Sequence, residues 1–307
     1  MGNDPELDAA LDALLASIAR GADDLDAPVA VRLLGPARVE PRMRSLANDP
    51  RWEARAAVAA VLRWLPGEDG AQPAQDAVRE RALLVGAMAE READARALAE
   101  LVAAFVELKS AMSEPEVVAL GTRYATHASA DVRGAAIAVL SGSDHEEALA
   151  TLVRATRDEH PRVRDTACFG LGHMLGSPSM PGGIVDTAEI REALAARLDD
   201  DDVETREEAA TGLALRGDER GLAVVETLLA RFDEEGVTQR VLMTASEAPH
   251  ARYVAPLEQI VRESPDLEAA VWALEECRAA ATRRVCRGPR LHAACDCFRG
   301  LPGLPRP

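Results

Sequence analysis

A short pattern recurs along this chain: a small or apolar residue, an arginine, two more residues and an alanine, opening a segment of helical periodicity. It reads Val132-Arg133-Gly134-Ala135-Ala136, Val163-Arg164-Asp165-Thr166-Ala167 and Thr205-Arg206-Glu207-Glu208-Ala209. Looser copies begin at Ala54-Arg55, Ala95-Arg96 and Gln239-Arg240. The anchors Arg55, Arg96, Arg133, Arg164, Arg206 and Arg240 follow one another at intervals of 41, 37, 31, 42 and 34 residues. A unit of that length cannot bury its own apolar face. It must stack on its neighbours, so the core grows along one axis.

Each interval divides into two helical segments. Pro36–Ala47 precedes Arg51–Leu65, and the pairs Val78–Glu90/Asp94–Lys109, Glu114–Ala125/Asp131–Leu140 and Glu146–Thr156/Arg162–Leu175 follow. Beyond them come Ala188–Leu198/Val203–Arg216, Arg220–Phe232/Val237–Ala248 and Ala251–Glu263/Leu267–Thr282. The turn Asn48-Asp49-Pro50 predicts an Asn or Asp cap on the second helix of its pair, with Pro just inside it. Short turns make paired helices antiparallel neighbours. Val163, Ala167, Gly170 and Leu171 form the apolar stripe of an amphipathic helix. The segment Gly176-Ser177-Pro178-Ser179-Met180-Pro181-Gly182-Gly183 is incompatible with helix and accounts for the 42-residue interval. No alternating strand pattern occurs. The core must be made of Ala, Leu and Val, because aromatics are only 3% of a chain that is 48% hydrophobic. These readings predict an all-α, right-handed α-solenoid of about seven helical hairpins. Residues 1–35 form N-terminal capping helices, 36–282 the repeat array, and 283–307 a basic Cys/Pro/Arg tail with the composition of a disordered segment.

Charge narrows the partner. Acidic residues outnumber basic ones 52 to 35, a net of −17. The last thirty residues, 278–307, carry +6, which leaves −23 on the rest. Such a body repels a phosphate backbone, so nucleic acid is excluded as a ligand and a basic protein or peptide is favoured. No run of about 18 apolar residues exists to span a membrane. The acidic start of the chain lacks the plan of a signal peptide, so a cytoplasmic location is expected.

The motif Asp/Asn-Pro-x-Val-Arg-x-x-Ala, then a leucine, Gly-Asp and a second helix, resembles the HEAT repeat, in the short form of phycobilin-lyase-like proteins. Its best copies run from His160-Pro161-Arg162-Val163-Arg164 to Leu171 and from Asp202-Val203 to Leu213 and Arg216-Gly217-Asp218. The resemblance implies a structural role for the repeated arginines, which bond to turn aspartates between neighbouring units. Arg55, Arg133, Arg164 and Arg206 are therefore structural repeat positions. It also offers two enzymatic alternatives, a bilin-lyase-like or a hydroxylase-like function. Deoxyhypusine hydroxylase, an array of this type, holds two irons through several His-Glu dipeptides, whereas this chain has one, His145-Glu146. One pair cannot supply a two-metal site, and His145 reads as a cap.

Other chemistry is sparse. Gly-x-Ser-x-Gly and phosphate-loop motifs are absent, and Lys109 is the only lysine. Cys286, His292, Cys295 and Cys297 crowd the end of the chain, but their spacing fits no common zinc template. The expected function is thus a non-catalytic scaffold without cofactor that binds a protein or peptide. The expected binding residues lie on the helix Val203–Arg216. There Val203, Ala210 and Leu213 are predicted to face the core, leaving Glu204, Glu208 and Thr211, with the capping Asp202, as one exposed acidic stripe.

Overall fold

The structure, a computed structural model, describes residues 4–21, 26–179, 183–231 and 239–286, with side chains as far as Thr282. The chain forms two compact units, Met1–Leu175 with Thr187–Ala193, and Gly176–Asp186 with Leu194–Pro307. The described residues contain helices and turns but no strand.

The first unit begins with α1 (Pro5–Ala19) and α2 (Asp26–Arg32). The first helices that follow are α3 (Pro36–Leu46), α5 (Gln75–Ala89), α8 (Glu114–Tyr124) and α10 (Glu146–Ala155). Their partners are α4 (Trp52–Leu62), α6 (Ala95–Ala103) with the short α7 (Phe105–Leu108), α9 (Ala130–Leu140) and α11 (Pro161–Phe169). The second helices pack in series, α2 on α4, α4 on α6, α6 on α9 and α9 on α11. One core runs from Leu7, Leu14 and Val31 through Met43, Val58 and Val85 to Phe105 and Val139. The N-terminal helices share it.

The last passage of the chain from the first unit to the second falls within α12 (Ala188–Ala195). The second unit has α13 (Val203–Leu215), α14 (Glu219–Ala230), α15 (Gln239–Glu247), α16 (Val254–Glu263) and α17 (Glu268–Cys286). Here α13 packs on α15 and α15 on α17, while α14 lies against α16. Leu222, Val225, Val241, Tyr253, Leu257, Ile260 and Leu274 form its core.

Short polar side chains start several of the helices. The carboxylates of Asp94, Asp202 and Asp218 accept from the N–H groups of Arg96, Thr205 and Arg220, and Ser113 with Glu116 forms a capping box on α8. Asp49 departs from expectation. It accepts from the Arg51 N–H at 2.9 Å, and α4 starts only at Trp52, so Asp49 closes the turn and Pro50 stands outside the helix. The segment expected as one helix over Asp94–Lys109 divides at Ala104. The segment Arg162–Leu175 ends in a π turn, Gly170–Met174, which packs on α9. A Cβ at Gly170 would stand 2.6 Å from Ser141 Oγ, so the missing side chain admits that contact.

Candidate functional site

The repeated arginine occupies one structural register. Arg55, Arg133, Arg164 and Arg206 are each the fourth residue of a second helix. Each turns its guanidinium back on the preceding turn. Nη1 of Arg55 donates to the carbonyls of Asp49 and Pro50 at 2.9 Å, and that of Arg133 to His127 and Ala128 at 3.0 Å. Arg164 reaches Asp158 and Glu159 at 3.1 and 3.2 Å, and Arg206 reaches Asp200. In Arg55 and Arg133 the rest of the fork spans to the next repeat. Arg55 meets both oxygens of Glu92 at 2.6 and 2.7 Å, and Arg133 both oxygens of Asp158 at 2.8 Å. Such forks are strong and directional. The Arg55 fork holds the Glu92 carboxyl below its ordinary value. These guanidiniums are committed to holding turns and repeats together.

Arg96 is the second residue of α6, out of that register. It pairs with Asp94 at 2.7 Å and lies 4.0 Å over the Trp52 ring.

The expected acidic stripe on α13 is corrected by the structure. Val203 is 52% exposed, and Glu204 is exposed beside it, but Glu208 and Thr211 are each 2% exposed. Glu208 pairs with Arg240 Nε at 2.7 Å, and the Thr211 hydroxyl meets that of Thr244 at 2.8 Å, both on α15. Asp202 is committed to its cap, accepting from the N–H and hydroxyl of Thr205. The misreading came from treating α13 as a helix with one wet face. Every residue from Glu207 to Leu215 is buried, so a three-four spacing cannot select an exposed side. His145 caps α10, its Nδ1 accepting from the Glu147 N–H at 3.3 Å. The side chain of Cys286 and the residues His292, Cys295 and Cys297 lie outside the described residues.

A feature with room for a ligand was not foreseen. Between α5 and α8 lies an open cavity of about 530 Å³, with α7 and the loop after it as floor. Its lining is mostly apolar: Ala82, Leu83 and Gly86 from α5, Ala119 and Leu120 from α8, and Phe105 beneath. Leu83 stands on the lip, 59% exposed. Ion pairs bridge the two ends. At the N-terminal end Arg79 of α5 donates two bonds to Glu116 of α8, which also accepts from the N–H and hydroxyl of Ser113 at 2.8 Å. The Arg79 fork, with Ser113, lowers the Glu116 carboxyl to about 2. At the other end Arg123 stands 3.5 Å from Glu90, and both are more than half exposed. The pairing of these ends makes α5 and α8 parallel. Small residues at 82 and 86, one turn apart on α5, were the only sequence signal of this groove. Small residues equally mark close packing, so the signal is ambiguous.

The family model for HEAT repeats matches residues 117–181, from α8 past the end of α11, and includes Arg133 and Arg164. No curated protein matches the chain by sequence. Among solved structures, the chain is similar to the Escherichia coli protein YibA at 18% identity and a TM-score of 0.61, covering 91% of this chain and 98% of that one. It is similar to an engineered protein at 19% identity and a TM-score of 0.51, covering 90% and 76% of the two chains. At such identities the likeness is one of fold. Residues 117–181 match the HEAT-repeat model, and the chain shares the all-α, helical-repeat fold of these solved structures.

Proposed function

We propose that this chain is a non-catalytic, cytoplasmic scaffold that holds a protein or peptide partner, with the α5–α8 groove as its anchoring site. The groove carries this reading. Two other pairs of adjacent first helices pack on each other, α8 on α10 and α14 on α16. Between α5 and α8 the same position instead holds an open apolar volume of about 530 Å³ with a half-exposed leucine on its rim. Concave, largely apolar surfaces with charges at the edge are where binding energy concentrates. The net charge of −17 favours a basic partner over nucleic acid. No helix among the described residues is long and apolar enough to cross a membrane. The acids of α13 have a lesser part in this reading, since only Glu204 of the foreseen stripe faces outward.

Selection of displayed peptides on the full chain tests it. Sequences enriched by the wild type and lost with Ala119→Trp support the reading. Enrichment that is absent, or indifferent to that substitution, refutes the groove as the anchoring site.

A further inference from the structure

The groove specifies the form of its occupant, an inference that rests on the scaffold reading above. Its walls are α5 and α8, whose backbone groups bond within their own helices. An extended peptide laid between them would bury N–H and C=O groups with nothing to meet them, at a cost of about 1–3 kcal/mol for each. A helix arrives with its backbone already paired, so side chains alone need to match.

The dimensions fit that form. From Glu116 to Arg123 on α8 is seven residues, about 10 Å at 1.5 Å per residue. From Arg79 to Glu90 on α5 is eleven residues, about 16 Å. The apolar stretch between the ion pairs is therefore two to three helical turns, which a stripe at i, i+4 and i+7 would fill. Ala82, Gly86 and Ala119 line it with small side chains, and Phe105 is buried beneath them.

The two ends differ in what they offer a charge. Glu116 is saturated by Arg79 and Ser113. Glu90 has only the long 3.5 Å contact with Arg123 and is 67% exposed. It is the C-cap of α5, where the helix dipole adds negative potential. A cation arriving there meets both.

We infer that the groove between α5 and α8 takes a basic amphipathic helix of a partner protein. Three apolar side chains at i, i+4 and i+7 enter between the ion pairs, and an Arg or Lys meets Glu90 at the C-terminal end of α5. The Glu90–Arg123 contact opens as it does so.

Fluorescence anisotropy on the full-length chain tests this with four labelled synthetic peptides. One carries leucines at i, i+4 and i+7 with lysines on the flanks. The second has the same composition with leucines at alternate positions. The third replaces lysine by glutamate, and the fourth by glutamine. The first peptide is expected to bind at least about tenfold more tightly than the second and third. Ala119→Trp and Ala87→Glu, both at exposed positions, each weaken it by about tenfold or more with helical content unchanged. Glu90→Gln weakens the lysine peptide about threefold and leaves the glutamine peptide unaffected. Equal binding of the second or third peptide overturns the proposal. Binding of the first peptide that both groove variants leave intact overturns it too. If display selection yields groove-dependent peptides that lack the helical stripe, the helix is wrong while the scaffold reading stands. Uptake of a fatty acid that displaces the first peptide while no displayed peptide is enriched assigns the groove to a small apolar ligand, and both readings fall.

Discussion

Arg55 and Glu92 show what one side-chain pair contributes to the array. Both are largely buried and linked by two short bonds. The carboxyl sits below the ordinary glutamate value of 4.5, chiefly through the bond from Arg55. A depressed carboxylate stabilises the folded state fully above 4.5 and loses that contribution as the pH falls through its folded value. The stability difference between wild type and Glu92→Gln, read from urea unfolding, is therefore expected to be largest near neutrality and to shrink on acidification below 4.5. A difference that holds constant down to pH 2 would contradict the ion pair. Tyr253 is the opposite case. It is fully buried, its hydroxyl has no hydrogen-bond partner, and burial pushes its ionisation far upward. Removing an unpaired buried hydroxyl relieves a desolvation cost, so Tyr253→Phe is expected to raise stability by up to about 1 kcal/mol. A loss of similar size in chemical denaturation would mean that an ordered water serves the hydroxyl.

Glycine makes the same contrast between elements. At Gly221 a Cβ would lie 2.4 Å from Leu213 Cβ and 2.7 Å from the Ala210 carbonyl, because α14 crosses α13 there at backbone distance. Gly221→Ala is expected to cost about 1–3 kcal/mol despite alanine's better helix propensity. At Gly86 a Cβ would meet only Phe105, at 3.7 Å, and Gly86→Ala is expected to gain about 0.5–1 kcal/mol while narrowing the groove. Equal thermal shifts at the two sites would contradict this account of the helix contacts. α13 gives the parallel test for charge. Glu208→Lys sets a second cation against Arg240 in a buried position and is expected to cost at least about 3 kcal/mol. Glu204→Lys, on the surface, is expected to change stability by less than about 0.5 kcal/mol. Melting both variants under one condition separates the two positions.

For the molecule as a whole, the charge of −17 acts at long range. Association with a basic partner is expected to slow as salt rises from 50 to about 300 mM, while the apolar part of the groove contact keeps the dissociation rate nearly constant. Stopped-flow measurement of both rates checks this, and a salt-independent on-rate would deny the electrostatic part.

The repeat, the all-α class and the ends of most helices are legible in the residues to within a few positions. Spacing, caps and turn residues act locally and leave a local record. The register of Arg55, Arg133, Arg164 and Arg206 is legible too, each set four residues into a helix behind a polar turn. Which faces are wet is set by packing between helices distant in the chain. Glu204 and Glu208 are one turn apart and chemically alike, yet one faces solvent and the other meets Arg240. Arg240 is 32 residues further along, in a helix whose position nothing near Glu208 encodes. The groove was decided in the same way. Ala82, Gly86 and Ala119 fit a close helix contact as well as an open one, and which of the two occurs depends on how α5 and α8 are seated by the rest of the unit. Burial is a property of what packs on a face, and that is written elsewhere in the chain.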